Sequence, residues 1–255
     1  PPTARSVEDI DNPEFRSVVY QFDANGKQFG VRVLGSYDPK QGSVHVGGPE
    51  QGVSQPGLVV VCGDSHVHPW RDGAMAFGIG ASEVAHVFAT QTLWQARPEA
   101  LRVTVDGDLG PSVTAKDVIL AVIAKSGAAG GVGAAIEYSG STIRGLSMEG
   151  LLTVCNMTIE AGARCGMVAP DEVTFAYLKG RPNAPDQAAW PAAEAFCRSL
   201  PSHAEAKLDR AAGLNDTDIQ TMANRGPRSE AGRGGGHYLP GTPNREVVDQ
   251  KPPYA

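Results

Sequence analysis

Apolar and polar positions along this chain fall into blocks whose period switches repeatedly between helical and extended. Residues 6–22 mix apolar and charged positions at roughly helical spacing, and Asp11-Asn12-Pro13 supplies a helix start. Residues 28–34 alternate like a strand and follow the turn signal Asn25-Gly26. Residues 58–62 form a continuous apolar run, the pattern of a buried parallel strand. Residues 82–95 carry apolar side chains at 84, 87, 88 and 93, which predicts a helix entered through Gly78 and Gly80. A strand follows at 101–105, and Thr114-x-x-Asp117 then forms a capping box for a helix over 115–126. Further along come a strand near 134–138, a helix over 147–163, a strand at Cys165–Val168 and a helix over 171–178. Strands alternating with helices predict a three-layer α/β architecture with a largely parallel sheet.

The signal changes after Arg181. Residues 187–200 and 204–212 predict two more helices, the first with Pro191 near its start. From Asn224 the chain is rich in Gly, Arg and Pro, with too few large apolar residues to offset the entropy of ordering. That end reads as a tail or a wrapped arm. Three regions are expected: a subdomain over 1–100, a second α/β subdomain over 101–186, and a helical extension with a Gly/Pro-rich tail over 187–255.

With 255 residues, 41% hydrophobic and 20% charged, the chain can bury a sizeable core as one or two domains. It has no apolar run of about 18 residues, so no membrane span is expected. Its first residues, Pro1-Pro2-Thr3-Ala4-Arg5, lack the apolar stretch of a secretory signal, which points to the cytoplasm. A net charge of -6 argues against a nucleic-acid binder, yet it leaves an anionic substrate open because a pocket needs only local positive charge. The four cysteines, Cys62, Cys155, Cys165 and Cys197, contain no C-x-x-C pair and read as small buried hydrophobes in a reducing compartment.

Chemistry concentrates where Val59-Val60-Val61-Cys62 runs into Gly63-Asp64-Ser65-His66. A buried strand ending in such groups delivers them to a crevice at the carboxyl end of a sheet. Asp64 and His66 are two apart and point to one side of an extended segment, where a carboxylate can orient an imidazole and raise its basicity. The plainer reading is a strand end at which Asp64 and Ser65 start a turn. His66-x-His68, together with His45, Asp64 and Glu160, could alternatively hold a mononuclear Zn or Fe(II), with His45, His66, His68 and Glu160 as the candidate ligands. Asn156 and Glu160 are four apart on the helix predicted over 147–163 and would project from one face. The glycines of 127–133 lack the Lys-Ser/Thr of a phosphate loop and read as a structural turn.

Longer blocks flank these residues: Gly42-Ser43-Val44-His45-Val46-Gly47-Gly48-Pro49-Glu50-Gln51-Gly52 before the strand, and Ala76-Phe77-Gly78-Ile79-Gly80-Ala81-Ser82-Glu83-Val84 after it. Ala89-Thr90-Gln91-Thr92-Leu93, Val113-Thr114-Ala115-Lys116-Asp117, Leu146-Ser147-Met148-Glu149-Gly150, Cys155-Asn156-Met157 and Val168-Ala169-Pro170-Asp171-Glu172 follow in order. In that order and spacing the chain resembles the large-subunit family of 3-isopropylmalate dehydratases, in the aconitase superfamily, over about residues 9–186. The resemblance implies an aconitase-like α/β/α fold and hydro-lyase or isomerase chemistry on a small carboxylic acid, isopropylmalate-like or a derivative. It places His45, Asp64, Ser65, His66 and Glu160 in catalytic positions and Asn156 in a binding position near the cluster region. In such chemistry one base removes a proton alpha to a carboxylate, and an acid or metal assists departure of hydroxide.

That family holds a [4Fe-4S] cluster on three cysteines, one alone and two in a C-x-x-C pair, in a region this sequence does not contain. Cys62 and Cys155 match family positions that are not ligands, so no [4Fe-4S] cluster is expected from this chain alone. The family continues Asp-Ser-His with Thr and a short loop of small residues. Here Val67-His68-Pro69-Trp70-Arg71-Asp72-Gly73 stands instead. Two readings remain open: drift in a surface loop, or a rebuilt pocket in which Arg71 grips a carboxylate, Trp70 shapes the wall and His68 adds an imidazole. The resemblance also implies a small anionic carboxylate as substrate, and a small subunit or a second copy as partner. The chain is thus expected to be a reduced, cluster-free relative with altered chemistry, or else a non-catalytic or partner-dependent fragment.

Overall fold

The computed structural model describes residues 6–35, 38–64, 73–127, 129–203, 205–223 and 239–240. Helix α1 (Pro13–Phe29) begins where the sequence indicates: Asn12 Oδ1 accepts from the amides of Glu14 at 2.8 Å and Phe15 at 3.3 Å, and Pro13 occupies the first turn. It runs through Asn25-Gly26 and stops at Gly30, whose φ of 67° suits glycine. The strand expected over 28–34 is therefore absent, and residues 30–34 are irregular backbone. Gly26 serves packing rather than a turn, since a Cβ there would collide with the Val33 side chain.

A short helix α2 (Val44–Glu50) precedes strand β1 (Val59–Cys62), which pairs in parallel with β2 (Met75–Gly78). Helix α3 (Ala81–Thr90) starts at Gly80, whose amide donates to Glu83 Oε2 at 2.8 Å. It ends at Gln91 in the left-handed region, short of the residue 95 expected, and Trp94 beyond it is 91% exposed.

The main sheet has four parallel strands in the order β5-β4-β3-β6: β3 (Glu99–Asp106), β4 (Ala134–Ser139), β5 (Cys165–Val168) and β6 (Arg210–Asn215). The α/β class and the parallel sheet agree with the sequence reading. Leu101, Val103 and Val105 of β3 turn one way, into a core shared with Ile136 and Tyr138 of β4. Helix α4 (Ala115–Ser126), Ile143 of α5 (Ser141–Gly145) and Leu151, Val154 and Cys155 of α6 (Met148–Asn156) close that core. The opposite strand face carries polar pairs. Arg102 meets Glu137 at 3.0 Å, and the Thr104 and Ser139 hydroxyls lie 3.0 Å apart. The capping box of α4 forms as expected: Asp117 Oδ2 accepts from the Thr114 amide at 2.7 Å and its hydroxyl at 2.6 Å.

Two helical expectations are corrected. The helix predicted over 147–163 divides into α6 and a 3-10 turn, Met157–Ala161. The helix predicted over 204–212 is replaced by residues 205–209 leading into β6, because six ladder positions on β3 outweigh a weak local preference. Helices α7 (Glu172–Leu178) and α8 (Trp190–Arg198) follow the predicted segments, with Asp171 capping the former. They share a small cluster of Phe175, Leu178, Trp190 and Cys197. Met222–Ala223 and Leu239–Pro240 form an antiparallel pair, β7 and β8; most of the expected tail lies outside the described residues.

Candidate functional site

Strand β1 delivers Gly63 and Asp64 at its carboxyl end. Helix α2 brings His45 to them, and His45 Nε2 lies 3.1 Å from Asp64 Oδ2. The imidazole is 18% exposed and the carboxylate 50%, so the histidine is held inside while the carboxylate faces solvent. In the neutral tautomer that donates from Nε2, His45 Nδ1 is an acceptor, and this buried atom has no hydrogen-bond partner among the described residues. The Asp64 amide lies 3.4 Å from Cys62 Sγ. Burial pushes the Cys62 thiol up, and the Asp64 charge adds to the effect while the Asp64 amide opposes it.

The described contact of Asp64 is with His45, 19 residues upstream, and the pairing of Asp64 with His66 expected from their spacing lies outside the described residues. Spacing carries no signal for the contact with His45. Ser65, His66, His68, Trp70 and Arg71, and with them both readings of the 67–73 loop, lie outside the described residues.

Asn156 is the last residue of α6, and its buried Oδ1 has no hydrogen-bond partner among the described residues. Glu160 is half-buried in the 3-10 turn and makes no hydrogen bond or ion pair among the described residues. The two were expected on one helical face. A 3-10 turn advances about 120° per residue rather than 100°, so four residues across the junction no longer bring side chains into line. No hydrogen bond or ion pair links either residue to the His45–Asp64 pair among the described residues.

A cavity of about 820 Å³ opens elsewhere, beside the starts of β3 and β4, and its lining includes Arg97, Glu99, Glu137, Met167, Lys207 and Asp209. All three of its carboxylates are already committed, since Glu137 pairs with Arg102, Glu99 with Arg210, and Asp209 accepts from the Ala100 amide at 2.8 Å. Neither His45 nor Asp64 lines it.

Cys155, Cys165 and Cys197 are buried on three separate elements, and Cys62 is half-buried on a fourth. Burial raises the Cys165 thiol to about 11, the opposite of what thiolate ligation requires. Among the described residues no three His, Cys, Asp or Glu side chains converge as a metal would need. The described part of this chain does not fit an iron–sulfur cluster. His45 and Glu160 are likewise not brought together as metal ligands, and His66 and His68 lie outside the described residues.

Fold and site define an α/β protein built on parallel strands, with a histidine–carboxylate pair at one strand end. The chain belongs to the aconitase family (aconitate hydratase), whose family model matches residues 3–233. It is 54% identical over 209 residues to the 3-isopropylmalate dehydratase large subunit of Anaeromyxobacter dehalogenans, a match that covers 82% of this chain and 44% of that protein. The chain therefore spans less than half the length of that relative. No helix among the described residues is long and apolar enough to cross a membrane.

Proposed function

We propose that this chain carries part of the acid–base machinery of a hydro-lyase acting on a small, anionic β-hydroxy acid, isopropylmalate-like or a derivative. The supporting observation is the His45–Asp64 contact at the end of β1. The half-exposed Asp64 carboxylate meets the substrate and takes the proton alpha to its carboxylate. His45, held behind it, fixes its orientation. Glu160 gives the proton with which the hydroxyl departs as water, and the Asn156 carbonyl accepts a hydrogen bond from a substrate hydroxyl. Ser65 and His66 complete the catalytic set, with His68, Trp70 and Arg71 lining the carboxylate pocket. The chain works in the cytoplasm, where buried free thiols stay reduced. It holds no [4Fe-4S] cluster by itself, and a mononuclear metal would draw on His66 and His68.

A second reading is favoured by the 44% coverage of the relative: the chain is a subunit or fragment whose site is completed by a small subunit or another copy. Purified chain should be mixed with 3-isopropylmalate, with binding followed by calorimetry and formation of the unsaturated acid by ultraviolet absorbance. Binding with turnover that Asp64→Asn abolishes supports the enzyme reading. Binding without turnover supports the subunit reading, and no binding at all overturns the substrate class.

A further inference from the structure

The switch from α6 to the 3-10 turn falls between Asn156 and Glu160, and a buried hydroxyl pair sits on it. Thr158 is fully buried, and its hydroxyl donates to the Val154 carbonyl at 2.9 Å. A continuing α-helix would give that carbonyl to the Thr158 amide. A threonine hydroxyl that bonds back four residues competes with the helix ladder and bends it. The single Thr158 proton being spent there, the Tyr138 hydroxyl, 2.9 Å away, must donate to the Thr158 oxygen. Tyr138 projects from β4, in the middle of the sheet, and is 2% exposed. Gly166 on neighbouring β5 completes the seat: a Cβ at that position would collide with the Thr158 hydroxyl.

Three elements thus hold one hydroxyl in place, in a layer otherwise apolar. A buried polar pair of this kind costs desolvation that an apolar pair of equal shape would not, and it brings geometric definition in exchange. We infer that Tyr138 and Thr158 are positioning residues: their hydrogen bond fixes where the helix changes pitch and so sets the directions of Asn156 and Glu160. The assignment of Asn156 and Glu160 as site residues rests on the function proposed above; the control of their geometry does not.

The test uses isotope-labelled chain and three substitutions. Thr158→Val keeps the shape and deletes the hydroxyl, Thr158→Ser keeps the hydroxyl, and Tyr138→Phe deletes the donor from the sheet side. The readouts are the Asn156 side-chain amide signals, the Glu160 backbone amide signal, and the short-range proton contacts that distinguish 3-10 from α geometry over 157–161. Thermal melting runs alongside. The expected result is displaced Asn156 and Glu160 signals with α-type contacts in Thr158→Val, smaller displacements in Tyr138→Phe, and wild-type signals in Thr158→Ser. Melting changes with unmoved signals in both deletion variants would reduce the pair to core packing and overturn the inference. Should Thr158→Val fail to fold, Tyr138→Phe decides the matter by the same signals. Titration with 3-isopropylmalate is a separate arm. If wild-type chain fails to bind it, the proposed function falls, while the signals still decide the positioning role.

Discussion

Asp117 accepts the amide of Met222 at 2.7 Å, across 105 residues of sequence, with the carboxylate that also closes the capping box at Thr114. Burial alone would raise the Asp117 carboxyl, but the hydrogen bonds from Thr114 and Met222 outweigh it and hold it below the usual carboxylate range. Its contribution to stability is present above the unfolded value of about 3.9 and is lost as the pH falls through the lower folded value. Asp117→Asn should destabilise the chain by roughly 1–2 kcal/mol at neutral pH. Denaturation followed from pH 7 to pH 3 should show a gap between variant and wild type that narrows with acid. A gap of constant size would mean that Asp117 contributes shape rather than charge.

Asp64→Asn and His45→Gln address the candidate acid–base pair. A positioned base contributes on the order of 100-fold or more, so turnover should fall at least that far in Asp64→Asn. The half-exposed carboxylate contributes little to stability, and melting should stay nearly constant. Turnover within a factor of two of wild type in both variants would remove the pair from the mechanism.

Thiol reactivity follows from burial. In native chain a thiol reagent should modify Cys62 first, and Cys155, Cys165 and Cys197 only on unfolding. Incubation with iron and sulfide should yield no stable absorbance band near 400 nm. A band with about four irons per chain would show that the cysteines can be drawn together after all.

The loop that departs from the family pattern is tested at Arg71. If its guanidinium clamps a substrate carboxylate, Arg71→Lys should weaken 3-isopropylmalate binding by about 1–3 kcal/mol and Arg71→Ala by more. His68→Ala tests the neighbouring imidazole separately. Equal affinity and turnover across all three variants would assign the loop to surface drift.

What the sequence made legible depended on how local the cause was. Helix α4 and strand β5 were readable to the residue, because a capping box and a short apolar run set between Arg164 and Pro170 are short-range signals. Strand β6 was not, since Arg210-Ala211-Ala212-Gly213 has no strand preference of its own and extends only because β3 offers a ladder. Helix α2 was hidden by Gly47-Gly48-Pro49, residues that argue against a helix. At the site, the contact of Asp64 with His45 required the fold. The break after Asn156 was also silent in a run whose spacing favours one continuous helix. Its cause is a hydroxyl on Thr158 met by a tyrosine from another strand.

The position of β6 beside β3 also governs the order in which this protein can be made. Strands β3, β4 and β5 leave a ribosome well before Arg210, and the Ala100 amide waits for the Asp209 side chain 109 residues later. Until then the β3 edge that β6 will cover presents unpaired backbone amides and carbonyls able to template pairing with another nascent chain. Closing so long a segment is slow relative to the local helices on either side. Any protease cut, premature stop or engineered truncation ahead of Arg210 would therefore make that transient edge permanent, and the shortened product would aggregate even with its helices intact.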